Sequence, residues 1–224
     1  MCARYNLHSD QEALADFFET TPTETLVTLP LPNFNVAPTQ QVPVVVDGPR
    51  CFEVMRWGLV PFWAKDTRIG RRTINARAET LADRPAFRAA FGARRCLVPA
   101  DGFYEWTGSR GNRQPLNIHR VDGRPLALAG LWESHDEFGL TFTIITTAPN
   151  AYMSAFHHRM PAILEPHDWD AWLGAEEEDP AWRTALLRPA AERVLTSYPV
   201  NPAVNSVANN GPELLHPAKA GRLF

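Results

Sequence analysis

Apolar positions near the start of the chain recur at the spacing of an amphipathic helix. The segment Ser9-Asp10-Gln11-Glu12 has a capping-box pattern, in which the first residue caps and the last reaches back. A stripe that includes Leu14 and Phe18 follows at helical spacing. We therefore predict a helix over about 10–19 with Ser9 as its N-cap.

From residue 95 onward the pattern changes to short runs of aliphatic, aromatic and threonine residues separated by glycine turns. Such runs are typical of strands, and their short connections indicate an antiparallel meander that curls toward a barrel. The predicted strands cover 96–99, 102–106, 116–120, 126–132 and 140–147.

Between these two regions lies a predicted hairpin, in which strands 44–46 and 51–56 flank the turn Asp47-Gly48-Pro49. The segment 57–63 is rich in tryptophan, glycine and proline and is interpreted as an aromatic loop. We find no internal repeat. The whole pattern predicts an α+β fold, a single domain over 1–224, with a curled, barrel-like antiparallel sheet and flanking helices. The remaining predictions are helical segments over 85–91, 151–156, 168–173 and 180–187, an extended segment that turns helical over 73–79, a strand over 161–164 and a loop tail beyond 198.

Alternation within the strand 102–106 puts Tyr104 and Trp106 on one face and Phe103 and Glu105 on the other. A strand carboxylate either points to solvent or bears a desolvation cost. If Glu105 lies in a pocket, we expect it to exchange protons near neutral pH.

Composition narrows the function classes. The 224 residues are 45% hydrophobic, which suits one sizeable core, and no stretch has the pattern of a signal peptide or a membrane span. Three cysteines, Cys2, Cys51 and Cys96, do not form a paired framework, so we expect a soluble, reduced, cytoplasmic protein.

The charge is unevenly distributed. The net charge of -3 argues against bulk coating of nucleic acid, yet the segment 65–95 holds nine basic and three acidic residues. This excess indicates either a solvated face or a basic groove that guides a phosphate backbone.

Four polar clusters lie at or beside predicted strand ends. They are Asn75-Ala76-Arg77, Phe103-Tyr104-Glu105-Trp106, Thr146-Thr147 and His157-His158-Arg159-Met160-Pro161. The adjacent histidines are a weak metal signal, because neighbours on one backbone rarely reach the same ion and no accompanying ligand spacing is present. A histidine is also the usual group for proton transfer near neutral pH.

Cys2 offers a chemistry of its own. Removal of the initiator methionine leaves an amine and a thiol on adjacent carbons, and such a 1,2-aminothiol captures an aldehyde as an imine and then closes a thiazolidine ring. Since an ordinary α-amine titrates near pH ~8 and a thiol near ~8.5, we expect both nucleophiles to be partly available at neutral pH.

Taken together, these motifs resemble the SOS-response-associated peptidase (SRAP) family, whose members covalently shield abasic sites in single-stranded DNA. The resemblance covers nearly the whole chain in order. It rests on Met1-Cys2, Trp57-Gly58-Leu59 with Pro61 and Trp63, Asn75-Ala76-Arg77, Gly102-Phe103-Tyr104-Glu105-Trp106, Thr146-Thr147, His157 with Arg159-Met160-Pro161, and Gly211-Pro212-Glu213-Leu214.

The resemblance implies a catalytic set. Cys2 would supply the attacking amine and the thiol, and Asn75 would orient the terminal nitrogen or the forming linkage. Glu105 would transfer protons during sugar ring opening and imine formation, and His157 would assist proton movement and reversal of the crosslink. Neither a metal nor an organic cofactor is expected.

The resemblance also implies a DNA-binding set. Arg4, Arg77 and Arg159 would contact phosphates, and Trp63 and Pro38 would stack on or wedge against bases beside the lesion. Asn75 and Thr146 complete the set. The expected partner is single-stranded DNA with an abasic site, including single-strand/double-strand junctions. We expect no membrane partner, a monomer, and association with the nucleoid when bound to DNA.

Two other function classes stay open. In the first, Cys2 is the nucleophile of a cysteine peptidase with Glu105 or His157 as its base. In the second, an aromatic pocket binds modified DNA without forming a bond.

Overall fold

The computed structural model describes residues 2–20, 31–109, 111–174 and 180–218. The strands are β1 (Tyr5–Leu7), β2 (Asn33–Val36), β3 (Gln41–Val46), β4 (Cys51–Trp57), β5 (Asn75–Arg77), β6 (Arg95–Ala100), β7 (Gly102–Thr107), β8 (Gln114–Arg120), β9 (Leu126–His135), β10 (Gly139–Thr147), β11 (Met160–Pro161) and β12 (Leu195–Pro199). The α-helices are α1 (Gln11–Phe18), α2 (Arg88–Ala93), α3 (Ala151–Ser154), α4 (Pro166–Leu173) and α5 (Pro180–Leu186).

Five strands close into a barrel. Antiparallel pairs join β4 to β3, β3 to β6, β6 to β9 and β9 to β10, and a parallel pair between β10 and β4 closes the ring. Full closure satisfies the backbone groups that a sheet edge would expose. The predicted barrel-like α+β fold is confirmed.

The strand β10 also determines where the site lies. It pairs with β4 at Trp57 and, two residues later, with β5 at Asn75. The chain between these two points, 58–74, therefore leaves the barrel wall and returns to the same strand. This excursion carries the aromatic loop and much of the basic segment predicted from sequence.

A second antiparallel sheet has the strand order β12-β8-β7-β1-β2. Phe103 belongs to the main core, whereas Tyr104 packs in a smaller cluster with Val200, Val204 and Leu214. Trp106 packs against that smaller cluster as well. The predicted alternation along β7 is therefore confirmed, because the two faces of this strand contact different cores.

Helices flank the barrel through aromatic contacts. Phe18 of α1 stacks on Trp169 of α4 with ring centroids 5.1 Å apart. Arg95 of β6 donates to the backbone carbonyl oxygens of Phe91 and Trp172, near the ends of α2 and α4. A cation is favourable there because the last carbonyls of a helix lack intrahelical donors.

Three sequence predictions about local structure are corrected. The N-cap of α1 is Asp10, whose side chain accepts from Ala13 N–H at 2.8 Å, while Ser9 Oγ donates to Asp101 at 2.5 Å. The strands after residue 95 are not a simple meander, because β6 pairs with β9 across the intervening hairpin β7–β8. The tail beyond 198 follows β12, a strand that the sequence pattern did not predict.

In the described parts of the chain, every helix falls short of the length and apolar content that a bilayer crossing requires. Cys2, Cys51 and Cys96 are free thiols.

Candidate active site and basic cleft

Cys2 lies just before β1 and is buried, with 1% of its surface exposed. Its backbone carbonyl accepts a hydrogen bond from Asn75 Nδ2 at 2.8 Å. Since Asn75 is the first residue of β5, the barrel strand β10 and the start of the chain are connected through this one side chain. The sequence places these residues far apart, and the parallel β10–β5 pairing brings them together.

The other polar atom of that amide is unused. Asn75 Oδ1 is buried and has no hydrogen-bond partner among the residues that the structure describes. A buried acceptor without a donor is costly. It therefore marks a position where a donor close to the Cys2 backbone would be stabilised.

Glu105 lies on β7, and only 6% of its surface is exposed. Its charge acts on two neighbours: it contributes to a raised pKa of the Cys2 thiol, and at His157 it opposes the burial that lowers the imidazole pKa. Both effects require proximity. Glu105, Cys2 and His157 thus form one electrostatic cluster.

The thiol itself departs from expectation. Burial, reinforced by the negative charge of Glu105, raises the pKa of Cys2 to about 12. The prediction from sequence, an ordinary thiol that is partly ionised at neutral pH, is wrong for Cys2 in the folded chain. The sulfur is held as a neutral thiol because the thiolate would be desolvated next to a carboxylate.

His157 follows α3, and its Nδ1 accepts the backbone N–H of Arg159 at 2.9 Å. The ring also stacks on that of His158, with centroids 4.2 Å apart. The same Nδ1 lies 3.1 Å from the carbonyl oxygen of Arg159, so the backbone of Arg159 contacts this nitrogen in either tautomer. Across the described residues, no set of three or more histidine, cysteine, aspartate or glutamate side chains is arranged to hold a metal ion.

A basic cleft of about 350 Å³ adjoins Asn75. Three exposed arginines contribute to its lining, namely Arg72, Arg77 and Arg84. Among the described residues, none of the three has a carboxylate within 4.0 Å. Thr146 lines the same cleft, and its Oγ1 donates to Ala76 O at 3.2 Å.

A second depression of about 500 Å³ continues from Arg72 toward the aromatic loop. Trp63 lines it and is 49% exposed, and the adjacent Phe62 is 61% exposed. The loop is fixed behind these rings, where His135 Nε2 contacts Ala64 O at 2.8 Å. Two solvent-exposed aromatic side chains on an anchored loop provide a rigid apolar surface beside the cations.

The other residues predicted to contact DNA are partly buried and contact other parts of the protein. Arg4 Nη1 donates to Asn35 Oδ1 at 2.7 Å and to Val204 O at 2.9 Å, so it connects β1 to β2 and to the C-terminal segment. Arg159 pairs with Glu79. Pro38 is half-buried in the turn after β2, where the next residue donates to Trp57 O at 2.8 Å.

The basic run of the sequence divides into two groups. Arg94 pairs with the buried Glu133 at 2.8 Å, and Arg95 is buried against carbonyl oxygens, so these two residues stabilise the fold. The remaining basic residues, apart from Arg88, line the two depressions. Six of the nine basic residues of this segment therefore lie along the two depressions.

Sequence reasoning missed four residues at the site: Phe62, Arg72, Arg84 and Glu79. Phe62 was included in the aromatic loop without a role, and the two arginines were counted only as charge. Glu79 lies two residues after the Asn75-Ala76-Arg77 motif, and this proximity is the one local signal that pointed to it.

A closed barrel, a buried thiol near the start of the chain in the field of a carboxylate, and an adjoining cationic cleft make up the candidate site. The family model described as "SOS response associated peptidase (SRAP)" matches residues 1–207. The chain belongs to the SRAP family.

Named relatives agree with this assignment. The chain is 39% identical to the abasic site processing protein YoaM of Bacillus subtilis, over 96% of this chain and 97% of that protein. It is 31% identical to the abasic site processing protein HMCES of Gallus gallus, over 85% of this chain and 67% of that protein. A solved protein of Bacteroides thetaiotaomicron superposes with a TM-score of 0.87 at 26% identity, over 97% of this chain and all of that one.

Proposed function

We propose that this protein captures abasic sites in single-stranded DNA covalently, through a thiazolidine formed by Cys2 after removal of Met1. The observation that carries the proposal is the position of Cys2. Its backbone is held by Asn75, its side chain lies within the field of Glu105, and a cleft with three arginines opens beside it. The relatives named for abasic site processing support the same substrate.

The reaction needs no redox partner. The α-amine of Cys2 attacks the C1′ aldehyde of the open abasic sugar to give a carbinolamine, which loses one water to form an imine. The thiol then adds across the C=N bond, so that sulfur bonds to C1′ and its proton passes to nitrogen. The product contains protein and DNA minus one water.

The cluster supplies the proton transfers. In this proposal the Glu105 carboxylate takes a proton from the attacking amine nitrogen and delivers it to the departing hydroxyl, and later takes the proton from sulfur and returns it to nitrogen. His157 exchanges protons with the same linkage. Asn75 Oδ1 would accept a hydrogen bond from the freed α-amine, which satisfies its buried lone pairs. Holding both reactants in the cleft raises their effective concentration, which in well-oriented systems reaches ~10⁵ M or more.

The raised thiol pKa favours this order of events. With its sulfur neutral, Cys2 reacts first through the amine, and sulfur adds only once the electrophilic imine is present. A cysteine peptidase instead requires a thiolate as its first nucleophile, and such sites lower the thiol pKa. Burial acts here in the opposite direction.

The test is intact-mass analysis under denaturing conditions after mixing the Met1-cleaved protein with a single-stranded oligonucleotide that carries one abasic site. We expect a species with the mass of protein plus DNA minus water. Cys2→Ala should give none, and Cys2→Ser should give no acid-stable thiazolidine. Absence of the species with wild-type protein, or its persistence in Cys2→Ala, contradicts the proposal.

A further inference from the structure

One ion pair crosses the site between the two chain segments that carry its polar groups. Glu79 lies in the short 3-10 helix directly after β5, two residues beyond Arg77. Arg159 lies two residues beyond His157. Arg159 Nη1 donates to Glu79 Oε1 at 2.6 Å and Nη2 to Glu79 Oε2 at 2.9 Å, a two-pronged contact that fixes distance and orientation.

The same guanidinium also binds a second residue. Arg159 Nη2 also donates to the backbone carbonyl of Thr146, on the strand that pairs with β5 on one side and β11 on the other. Only 12% of the Arg159 side chain is exposed. The pairing of Glu79 with Arg159 therefore joins three segments of the site through a guanidinium that is largely buried, while the Glu79 carboxylate is half-exposed.

The backbone of Arg159 completes the connection, because its N–H is the donor that holds His157 Nδ1. Anything that fixes Arg159 consequently fixes the imidazole. Glu79 is also close in sequence to Asn75, because β5 begins at Asn75 and leads directly into the 3-10 helix that contains Glu79. Asn75 in turn donates to the Cys2 backbone carbonyl.

We infer that Glu79 is a positioning residue for the crosslinking reaction. Its ion pair with Arg159, here called the clamp, fixes the positions of His157 and Asn75 relative to Cys2. The inference rests on the proposed function and adds to it a residue that does not touch the DNA. The Arg159 guanidinium keeps the pKa of Glu79 below its ordinary value, so the carboxylate stays ionised and the clamp stays closed at neutral pH.

The charge of Glu79 separates this role from DNA binding. Glu79 is half-exposed, and its charge also interacts with that of Arg77, which lines the cationic cleft. A negative charge at that place opposes phosphate binding. If Glu79 acts through geometry, neutralising it must slow the reaction while DNA binds at least as tightly as before.

The experiment compares Glu79→Gln with wild type in single-turnover crosslinking to an abasic single-stranded oligonucleotide, over a range of protein concentrations. We expect the maximal rate to fall by about tenfold, because small misplacements of reacting groups have effects of that order. The half-saturating concentration should stay equal or decrease. Asp83→Asn is the matched control, since it removes one exposed carboxylate from the same basic segment and should leave the maximal rate unchanged.

A double-mutant cycle tests whether Glu79 acts through Arg159. Once Arg159→Gln has opened the clamp, adding Glu79→Gln should have little further effect on the maximal rate. Circular dichroism and thermal melts confirm that each variant is folded before its rate is interpreted.

An unchanged maximal rate in folded Glu79→Gln overturns the inference, as does full additivity in the cycle. These outcomes differ from failure of the proposed function, in which wild-type protein itself forms no adduct.

Discussion

The nucleophile cluster and the basic cleft share a border at Asn75 but follow opposite physical rules. In the cluster, Cys2 and Glu105 are buried, and desolvation together with the charge of Glu105 raises the pKa of the Cys2 thiol. In the cleft, Arg72, Arg77 and Arg84 are exposed and stay hydrated. Salt screens exposed charges strongly and buried ones weakly.

The difference indicates a division of labour. The cleft is suited to capture, because hydrated cations attract a phosphate backbone without selecting a base sequence. The cluster is suited to bond formation, because buried groups keep fixed positions. If so, changes in the cluster should alter reaction rates, and changes in the cleft should alter affinity and its dependence on salt.

The largest expected effect concerns the thiol. With a pKa of about 12, Cys2 should react with iodoacetamide at pH 7.5 roughly a thousandfold more slowly than an unperturbed cysteine, because only the thiolate is alkylated. Since the pKa is raised, the rate should grow about tenfold per pH unit as the pH rises toward that value. Peptide mapping of a labelling time course measures it, with a free cysteine peptide as the unperturbed reference, because burial also raises the pKa of Cys51. Labelling of Cys2 as fast as that peptide would show that the thiol is not protected.

Next in size is Asn75→Ala, which removes the donor to the Cys2 carbonyl. We expect the crosslinking rate at saturating DNA to fall by about a hundredfold and the unfolding free energy to fall by about 1 kcal/mol. Single-turnover kinetics and chemical denaturation measure the two effects. Asn112→Ala, at an exposed position of the β7–β8 turn, is the control and should change neither. A normal rate in folded Asn75→Ala would remove this residue from the cluster.

A smaller effect is expected on the cleft side from Trp63→Ala. Loss of a stacking ring costs about 1–3 kcal/mol per base, so affinity for single-stranded DNA should fall about 5- to 150-fold while the rate at saturation is kept. Fluorescence titration with Cys2→Ala protein isolates the noncovalent step. Trp182→Ala removes an exposed tryptophan of α5, which does not line either depression, and should bind normally. Equal affinities of the two variants for single-stranded DNA would show that Trp63 of the aromatic loop does not contribute to binding.

The smallest expected effect is that of Arg84→Gln. Removing one phosphate contact should reduce the slope of log K against log salt by about 0.7 and weaken binding about fourfold near 0.15 M salt. Arg88→Gln removes a cation that lies outside both depressions and should leave the slope unchanged. If Arg84→Gln changes the saturated rate instead, the separation between capture and bond formation is wrong.

The local sequence pattern predicted the face of β7 on which Glu105 lies and the position of the basic segment. Alternation along β7 predicted that Glu105 and Tyr104 face different sides, and period-2 geometry is a property of a single strand. The basic segment was visible as charge. The barrel-like α+β fold followed from short strands and glycine turns, although their pairing did not, because β6 pairs with a strand beyond the intervening hairpin.

The rest of the site depends on contacts between distant segments. The thiol pKa of Cys2 follows from burial beside Glu105, and the bond from Asn75 to the Cys2 carbonyl follows from the parallel β10–β5 pairing. Neither contact can be predicted from the local sequence pattern. The same holds for Arg95, which counted as groove charge in the sequence and is bound to helix carbonyls in the fold.

The most direct test of the account compares two forms of the same protein, one with a free α-amine on Cys2 and one in which that amine is acetylated. Each is incubated with the abasic oligonucleotide, and the adduct is located by mass spectrometry of the digested product. We predict a sugar remnant bridging nitrogen and sulfur of Cys2 in the free form and no adduct in the acetylated form. Equal adduct yield from the acetylated protein would contradict capture through the terminal amine.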